Sequence, residues 1–197
     1  MFQFVECEVE GCTRLAVGTE TRCLAHAQAP DALLSEIAGR LLGSQELADE
    51  SLTEIPLAGL DLTGRTITTC NFTRSTFTSV DFSHCRIRLC SFEAAVFVDC
   101  RFKDSDILFS SFAGATIERC DFSGSDVLHT NFNGIEATDS LFNDSDLYFS
   151  RFVSSRLLRT GFEDCNLKKV SFADSRREEV SFRYSNHEEA DFAVYGT

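Results

Sequence analysis

From Leu57 to Phe192, large apolar residues recur at every position whose number ends in 2 or 7. That gives 28 positions with no insertion, and only Ala137, Arg177 and His187 break the rule. Of the 17 Phe residues after position 50, all but Phe109 and Phe149 keep this phase. A period of five excludes an α-helix, in which the apolar position would advance roughly 500° per repeat and wander around the axis. It also excludes an ordinary strand, whose side chains alternate with period two. It fits a chain that turns a corner every five residues, so that four corners close a square coil. Successive coils then stack at about 4.8 Å.

A superperiod of 20 residues sorts the apolar positions into four faces. One face carries Phe72, Phe92, Phe112, Phe132, Phe152, Phe172 and Phe192. The face opposite carries Leu62, Phe82, Phe102, Phe122, Phe142, Phe162 and Phe182. A third is aliphatic (Ile67, Ile87, Ile107, Val127, Leu147, Leu167) and the fourth is mixed (Leu57, Phe77, Phe97, Ile117, Ala137, Leu157). The composition follows from this pattern: 19 Phe against 3 Tyr and no Trp is what a core needs when it wants rings without polar handles. Ala137 leaves room that Ile135, in place of the usual small neighbour, can fill.

The pattern resembles the pentapeptide-repeat family, whose repeat is roughly Ala-Asp/Asn-Leu-X-X. Asn71-Phe72, Asp81-Phe82, Asp121-Phe122, Asn131-Phe132, Asp146-Leu147 and Asn166-Leu167 match its middle pair, and Ser145, Cys165 and Ala190 its small leading position. The resemblance covers about residues 55–195. It implies an all-β fold, a right-handed quadrilateral β-helix of about seven coils. The large residue and the small residue two before it would point inward. The expected organisation is a small module over residues 1–28, a helical linker or cap over 29–50, and the β-helix over 51–197.

Six of the 9 Cys (Cys70, Cys85, Cys90, Cys100, Cys120, Cys165) occupy the small inward position. They read as reduced core thiols acting as small hydrophobes, with a catalytic or disulfide set as the alternative. Free thiols in such number suit a reducing cytoplasm. The other three lie outside the repeat and, with His26, form C-x4-C-x10-C-x2-H: Cys7, Cys12, Cys23 and His26. Zinc takes four such ligands in a tetrahedron, and about 25 residues with little core of their own would draw folding energy from it. The segment is similar to small bacterial CCCH zinc modules. The expected cofactor is therefore a structural Zn²⁺, against three incidental thiols on a flexible arm. Four protein ligands leave no open position for catalysis.

Between module and rod, Leu33, Leu34, Ile37, Leu41 and Leu42 follow helical spacing, with Pro30 and Asp31 at the start and Gly43 at the stop. This helix would pack over the open end of the rod or along a side, unless it binds a partner. One outward surface breaks the polar rule: Leu89, Leu108, Phe109, Leu128, His129, Tyr148 and Phe149, beside an acidic row of Asp106, Asp126 and Asp146. Arg86 and Arg88 stand at one end of it, and Lys168 and Lys169 at the other. An exposed apolar strip rimmed by charge is a contact surface, covered by the chain's own helix or by another protein. At the far end of the rod, Arg177 and His187 fall at inward positions while Phe182 and Phe192 continue the Phe faces. A charge cannot be buried unpaired, so the last coil is expected to relax. Two chains are expected to meet there end to end as a homodimer, an arrangement the family uses.

The formal net charge is −13, split as −6 in residues 1–50 and −7 in 51–197. Such a balance argues against direct nucleic-acid binding, which needs Lys and Arg on phosphates. No apolar run is long enough to span a membrane, and Met1–Glu6 lacks the basic and apolar regions of a signal peptide. There is no glycine-rich phosphate loop, nucleophile elbow or His paired with a nucleophile. The expected role is non-enzymatic: a protein–protein interaction or scaffolding module in the cytoplasm. The resemblance implies an alternative. Some members of the family bind DNA gyrase and topoisomerase IV as DNA mimics and protect them from inhibitors. Those relatives tend to carry C-terminal dimer caps, sometimes with loops, whereas this rod is uninterrupted and bears Arg and Lys clusters.

Overall fold

The computed structural model describes residues 5–194; the start of the chain up to Phe4, and Tyr195 onward, lie outside the described residues. The five-residue period becomes a parallel β-solenoid in which each residue sits beside the one 20 positions later. One face is a five-stranded stack of β1 (Glu46–Ala48), β3 (Thr66–Thr68), β5 (Arg86–Arg88), β7 (Asp106–Leu108) and β9 (Asp126–Leu128). The face half a coil away stacks β2 (Pro56–Ala58), β4 (Thr76–Thr78), β6 (Val96–Val98), β8 (Thr116–Glu118), β10 (Glu136–Thr138), β11 (Arg156–Leu158) and β12 (Arg176–Glu178). The two remaining faces are too tightly turned for three-residue strands. They consist of single bridges such as Ser91 to Ser111 to Asn131 and Asp81 to Arg101 to Asp121. Leu47 and Leu52 carry the inward phase upstream of Leu57, with β1 already paired to β3.

Each coil turns its corners through residues in the left-handed backbone region, for example Arg74, Ser79, His84 and Leu89 with φ between +53° and +59°. Between corners, the central residue of every strand but β12, where it is Arg177, is buried and its neighbours are not. The two Phe stacks face one another across the core. In one, Phe92, Phe112 and Phe132 lie ring over ring at 4.8 and 4.9 Å. In the other, Phe102, Phe122 and Phe142 do so at 4.4 and 4.7 Å. Across the core the rings meet edge to face, as Phe132 and Phe142 do at 5.7 Å and 85°. Both arrangements suit the quadrupole of an aromatic ring. Ile135 and Ala137 are both buried, so the large residue has moved two positions back in that repeat.

The small inward position is small in most repeats because the next coil passes close over it, and it is most often a hydroxyl or thiol because a carbonyl lies within reach. The Ser105, Ser125 and Ser145 hydroxyls donate to the carbonyls of Phe82, Phe102 and Phe122 at 2.8, 2.6 and 2.9 Å. The same hydroxyl accepts from the coil before it, as Ser125 does from the Ser105 N–H at 3.0 Å. The core thiols copy this role: Cys85 donates to Leu62 O at 3.0 Å and Cys165 to Phe142 O at 2.9 Å. All six are buried and unbridged. Burial pushes the Cys85 and Cys165 thiols up to about 11, which leaves them protonated and unreactive at neutral pH.

Helix α1 (Pro30–Gly43) lies over the first coil, burying Leu33, Ile37 and Leu41 against the same core as Leu47 and Leu52. Arg40 clamps it to the rod through a two-point contact with Glu50 at 3.1 and 3.3 Å, and Arg65 donates to the carbonyl of Leu42 at 2.8 Å near its C-terminal end. A solenoid exposes its core at an open end, and here the helix closes it. At the other end, the chain leaves the regular path. Asn186 Oδ1 accepts the Leu167 N–H at 2.6 Å, and a 3-10 turn over His187–Glu189 follows.

Candidate metal centre and contact surface

Cys7 and Cys12 sit on a short antiparallel loop closed by the Glu6–Leu15 bridge, which turns at Gly11 with φ +78°. Cys23 and His26 sit three residues apart on one 3-10 turn, Leu24–His26, whose His26 N–H returns to the Cys23 carbonyl. The two pieces bring four ligand atoms within 4.8 Å of one another. His26 Nδ1 lies 3.4 Å from Cys7 Sγ and 3.5 Å from Cys23 Sγ; Cys12 and Cys23 Sγ are 3.9 Å apart. A tetrahedron with Zn–S near 2.3 Å and Zn–N near 2.05 Å has S···N edges of about 3.6 Å and S···S edges of about 3.8 Å. The donor set and these three edges thus suit a tetrahedral metal ion. Desolvation opposes ionisation of Cys7, but backbone N–H groups of Cys23 and Val9 and the side chains of His26 and Cys12 outweigh it and bring the thiol down to about 6. A thiol so disposed is readily the thiolate a metal needs.

The module docks on the rod through Val17, which is fully buried, and through the Gly18 N–H, which donates to Ser51 O at 2.7 Å. Leu15, next to this junction, lines a groove together with Thr69, Asn71 and Leu89.

The outward apolar residues gather at one corner of the coil. Leu89, Phe109, His129 and Phe149 stack in the left-handed conformation, at φ +54°, +52°, +51° and +62°. Leu89, Phe109 and Phe149 are 53%, 54% and 46% exposed. The ladder is continuous: Phe109 to His129 is 5.0 Å between ring centres, His129 to Phe149 is 5.1 Å, and Lys169 Nζ caps the far ring at 5.3 Å. Leu108, Leu128 and Tyr148 stand beside it on the strand face, half-buried. Helix α1 does not cover this strip. Its buried stripe is used at the open end of the rod, where exposed core would cost more than a half-shielded corner, so the first of the two covers the sequence left open does not form here.

On the other flank of the ladder a groove of about 820 Å³ runs along the rod, with Leu15, Leu89, Phe109 and His129 as its apolar wall. The facing wall is polar: Asn131 Nδ2 donates to Ser111 Oγ at 3.4 Å, and Ser111 to Glu93 Oε1 at 2.9 Å. Leu15, Glu93 and the polar row were not singled out by the sequence, because only the coil register places them beside residues 16 to 74 positions away.

At the C-terminal end, Phe182 and Phe192 are half-buried and Arg177 lays its guanidinium over the Phe192 ring at 4.7 Å. His187 is turned out into solvent beside Glu188 at 3.9 Å. Neither polar residue is therefore inside the core.

A model of the pentapeptide repeat region matches residues 115–192, and a model of pentapeptide repeats in eight copies matches residues 57–93. This chain belongs to the pentapeptide-repeat family. Proteins of the family are generally non-enzymatic structural or interaction proteins. Solved structures similar to this pentapeptide-repeat protein include HetL from a Nostoc cyanobacterium, involved in regulating heterocyst differentiation, at 10% identity and TM-score 0.34 over 79% of this chain and 94% of that one. Another is full-length QnrB1, a plasmid-mediated fluoroquinolone resistance protein, at 16% identity and TM-score 0.42 over 73% and 85%. A third is a pentapeptide-repeat protein of the Arabidopsis thaliana thylakoid lumen, at 20% identity and TM-score 0.38 over 62% and 68%. No protein of curated function matches this sequence. Among the described residues, no helix is long and apolar enough to cross a membrane.

Proposed function

We propose that this pentapeptide-repeat protein is a non-enzymatic contact module of the cytoplasm that engages a protein partner along the Leu89–Phe109–His129–Phe149 corner. One observation carries the reading. Three large apolar side chains sit about half exposed in a left-handed conformation that costs non-glycine residues about 1–2 kcal/mol each. Every corner of the coil shares that backbone, but small or polar residues fill the others; half-exposed large apolar side chains do not serve the fold, and this exposure points to a binding role. A photo-crosslinking amino acid in place of Leu128 is expected to give a discrete, partner-sized adduct in cells, and Phe109→Ser with Phe149→Ser to abolish it. The same reagent at Arg119, on another corner, serves as control. Equal labelling at both positions would refute the assignment.

Two structural elements complete this reading. A Zn²⁺ ion bound by Cys7, Cys12, Cys23 and His26 holds the N-terminal module together, close to one equivalent per chain. Elemental analysis of protein purified without added metal tests it, and a metal-free sample with an ordered module would refute it. A second copy meeting the C-terminal coil across a two-fold axis would bury Phe182 and Phe192, with Arg177 at the junction and His187 at its rim. Light scattering should then give twice the 21.9 kDa chain mass. The topoisomerase reading is not adopted. A duplex mimic needs rows of like charge, whereas the corner Asp99, Arg119, Asp139, Arg159 alternates in sign and pairs with itself.

A further inference from the structure

The groove beside the aromatic ladder has a spacing and a charge pattern that select among partners. The ladder that forms its apolar wall, and that continues past the groove to Phe149, repeats about every 5 Å: Phe109 to His129 is 5.0 Å and His129 to Phe149 is 5.1 Å. A partner lying along the rod must place apolar groups at nearly the same interval. An α-helix brings a side chain back to one face every turn, about 5.4 Å. Over the three steps from Leu89 to Phe149 the two repeats drift apart by only about 1 Å. An extended strand repeats on one face every two residues, about 6.6 Å, and is out of step by roughly one rung over the same distance. Ladder edges are also unavailable to an added strand here, because the backbone of each coil is already bonded to the coils above and below it.

The rim fixes the charge of the partner. Glu93 is exposed on the polar wall, and Asp126 is exposed on the strand side of the ladder. Neither forms an ion pair among the described residues, whereas Asp106 in the same row is held by Arg86 and Arg88. Of the basic groups near the strip, Arg151, exposed beside Phe149 at the far end of the polar wall, forms no ion pair among the described residues; the others are committed. Arg86 and Arg88 pair with Asp106, and Lys169 caps Phe149 and Tyr148. Two carboxylates flank the apolar wall, one on either side.

We infer that the partner element is an amphipathic α-helix with basic flanks, lying parallel to the rod axis. Its apolar residues at i, i+3 or i+4, and i+7 sit between the rungs Leu89, Phe109, His129 and Phe149. Lys or Arg on one flank faces Glu93, and on the other faces Asp126. Ten residues of helix, about 15 Å, cover the four rungs. This rests on the reading of the corner as a contact surface.

The test is selection from two displayed peptide libraries of 18 residues. One library has helical apolar spacing with flanks randomised among Lys, Glu, Gln and Ala. The other has the same composition with Pro at every fourth position, so that it stays extended. Clones enriched on the wild-type protein are expected to come from the helical library and to carry Lys on both flanks. Their affinity should fall at least tenfold on Phe109→Ser with Phe149→Ser, and severalfold on Glu93→Gln with Asp126→Asn at low salt, with the latter loss vanishing at high salt. Unchanged circular dichroism shows that the variants are folded. No enrichment from the helical library, enrichment from the extended one alone, or selection of Glu on the flanks would overturn the inference. If one of these occurs while crosslinks at position 128 persist, the helical partner is wrong and the contact surface stands. If the crosslinks are also absent, the contact surface itself is wrong.

Discussion

Asp99, Arg119, Asp139 and Arg159 form one corner of the coil, and Leu89, Phe109, His129 and Phe149 form the corner half a coil away. The backbone is the same in both, with φ between +48° and +62°. The side chains are not. On the first corner, each Arg reaches down one coil to an Asp, Arg119 to Asp99 at 2.7 Å and Arg159 to Asp139 at 2.9 Å. That corner is complete in itself. On the second, ring stacks on ring and nothing lies outside. The backbone places both corners without regard to what they carry, so the apolar corner is a property written onto the scaffold rather than one the scaffold needs.

The largest effect that can test this separation comes from a residue below the corners. Phe122→Ala, in the middle of a ring stack, should lower unfolding stability by about 3–5 kcal/mol, read from denaturant midpoints. Phe109→Ala should cost far less, since its ring lies outside the core. Comparable losses would mean that the apolar corner is structural and would break the comparison. Metal removal should act on neither corner. With a chelator, hydrogen exchange should rise over residues 5–27 while amides at positions 99–159 stay protected. Loss of protection along the rod would instead join the module to the fold of the coils.

Smaller effects separate the corners further. Phe109→Gly should raise stability by about 0.5–1 kcal/mol, because glycine accepts positive φ without the clash of a side chain. A loss would show that the ring stabilises the free protein. The smallest effect is electrostatic. Hydrogen bonds from Arg119 and Arg159 hold the Asp99 and Asp139 carboxyls below their ordinary value of 3.8. A carboxyl with a lowered folded pKa contributes stability above its unfolded pKa and loses it as pH falls through the folded one. Thermal melts between pH 5 and 2 should therefore show a loss below the ordinary carboxylate range that Asp99→Asn with Asp139→Asn removes. Because both pairs are solvent-exposed, high salt should remove most of it.

The rod was legible because its rule is local and strict. Phe72 and Phe92 need only their own repeat to be inward, and the period alone places them in register. The odd pair Phe109 and Phe149 was legible for the same reason, as departures from a regular background. The C-x4-C-x10-C-x2-H spacing named four residues that the structure brings close enough together to hold a metal ion. What the sequence left open was where one piece lies on another. Leu33, Ile37 and Leu41 announce a buried stripe but not which apolar surface buries it, and two surfaces were on offer. Leu15 is an unremarkable residue in the N-terminal module until docking brings it into the groove that Leu89 also lines. Arg177 broke the pattern visibly, yet its place over Phe192 depends on a cation and a ring meeting across sequence distance.

The uninterrupted run from Leu57 to Phe192 has a consequence for how such a chain can change in length. Residue number works here as an angular coordinate: twenty residues are one full revolution and five are a quarter. Deleting one residue would shift the phase of everything after it, turning outward charges inward, and should be lethal to the fold. Deleting five would keep each Phe inside but rotate the rest of the rod by a quarter turn, so that Phe149 would no longer stand above Phe109. Only whole revolutions preserve both the interior and the columns outside. Growth by duplicated coils would therefore lengthen the apolar corner one rung at a time, with its direction unchanged.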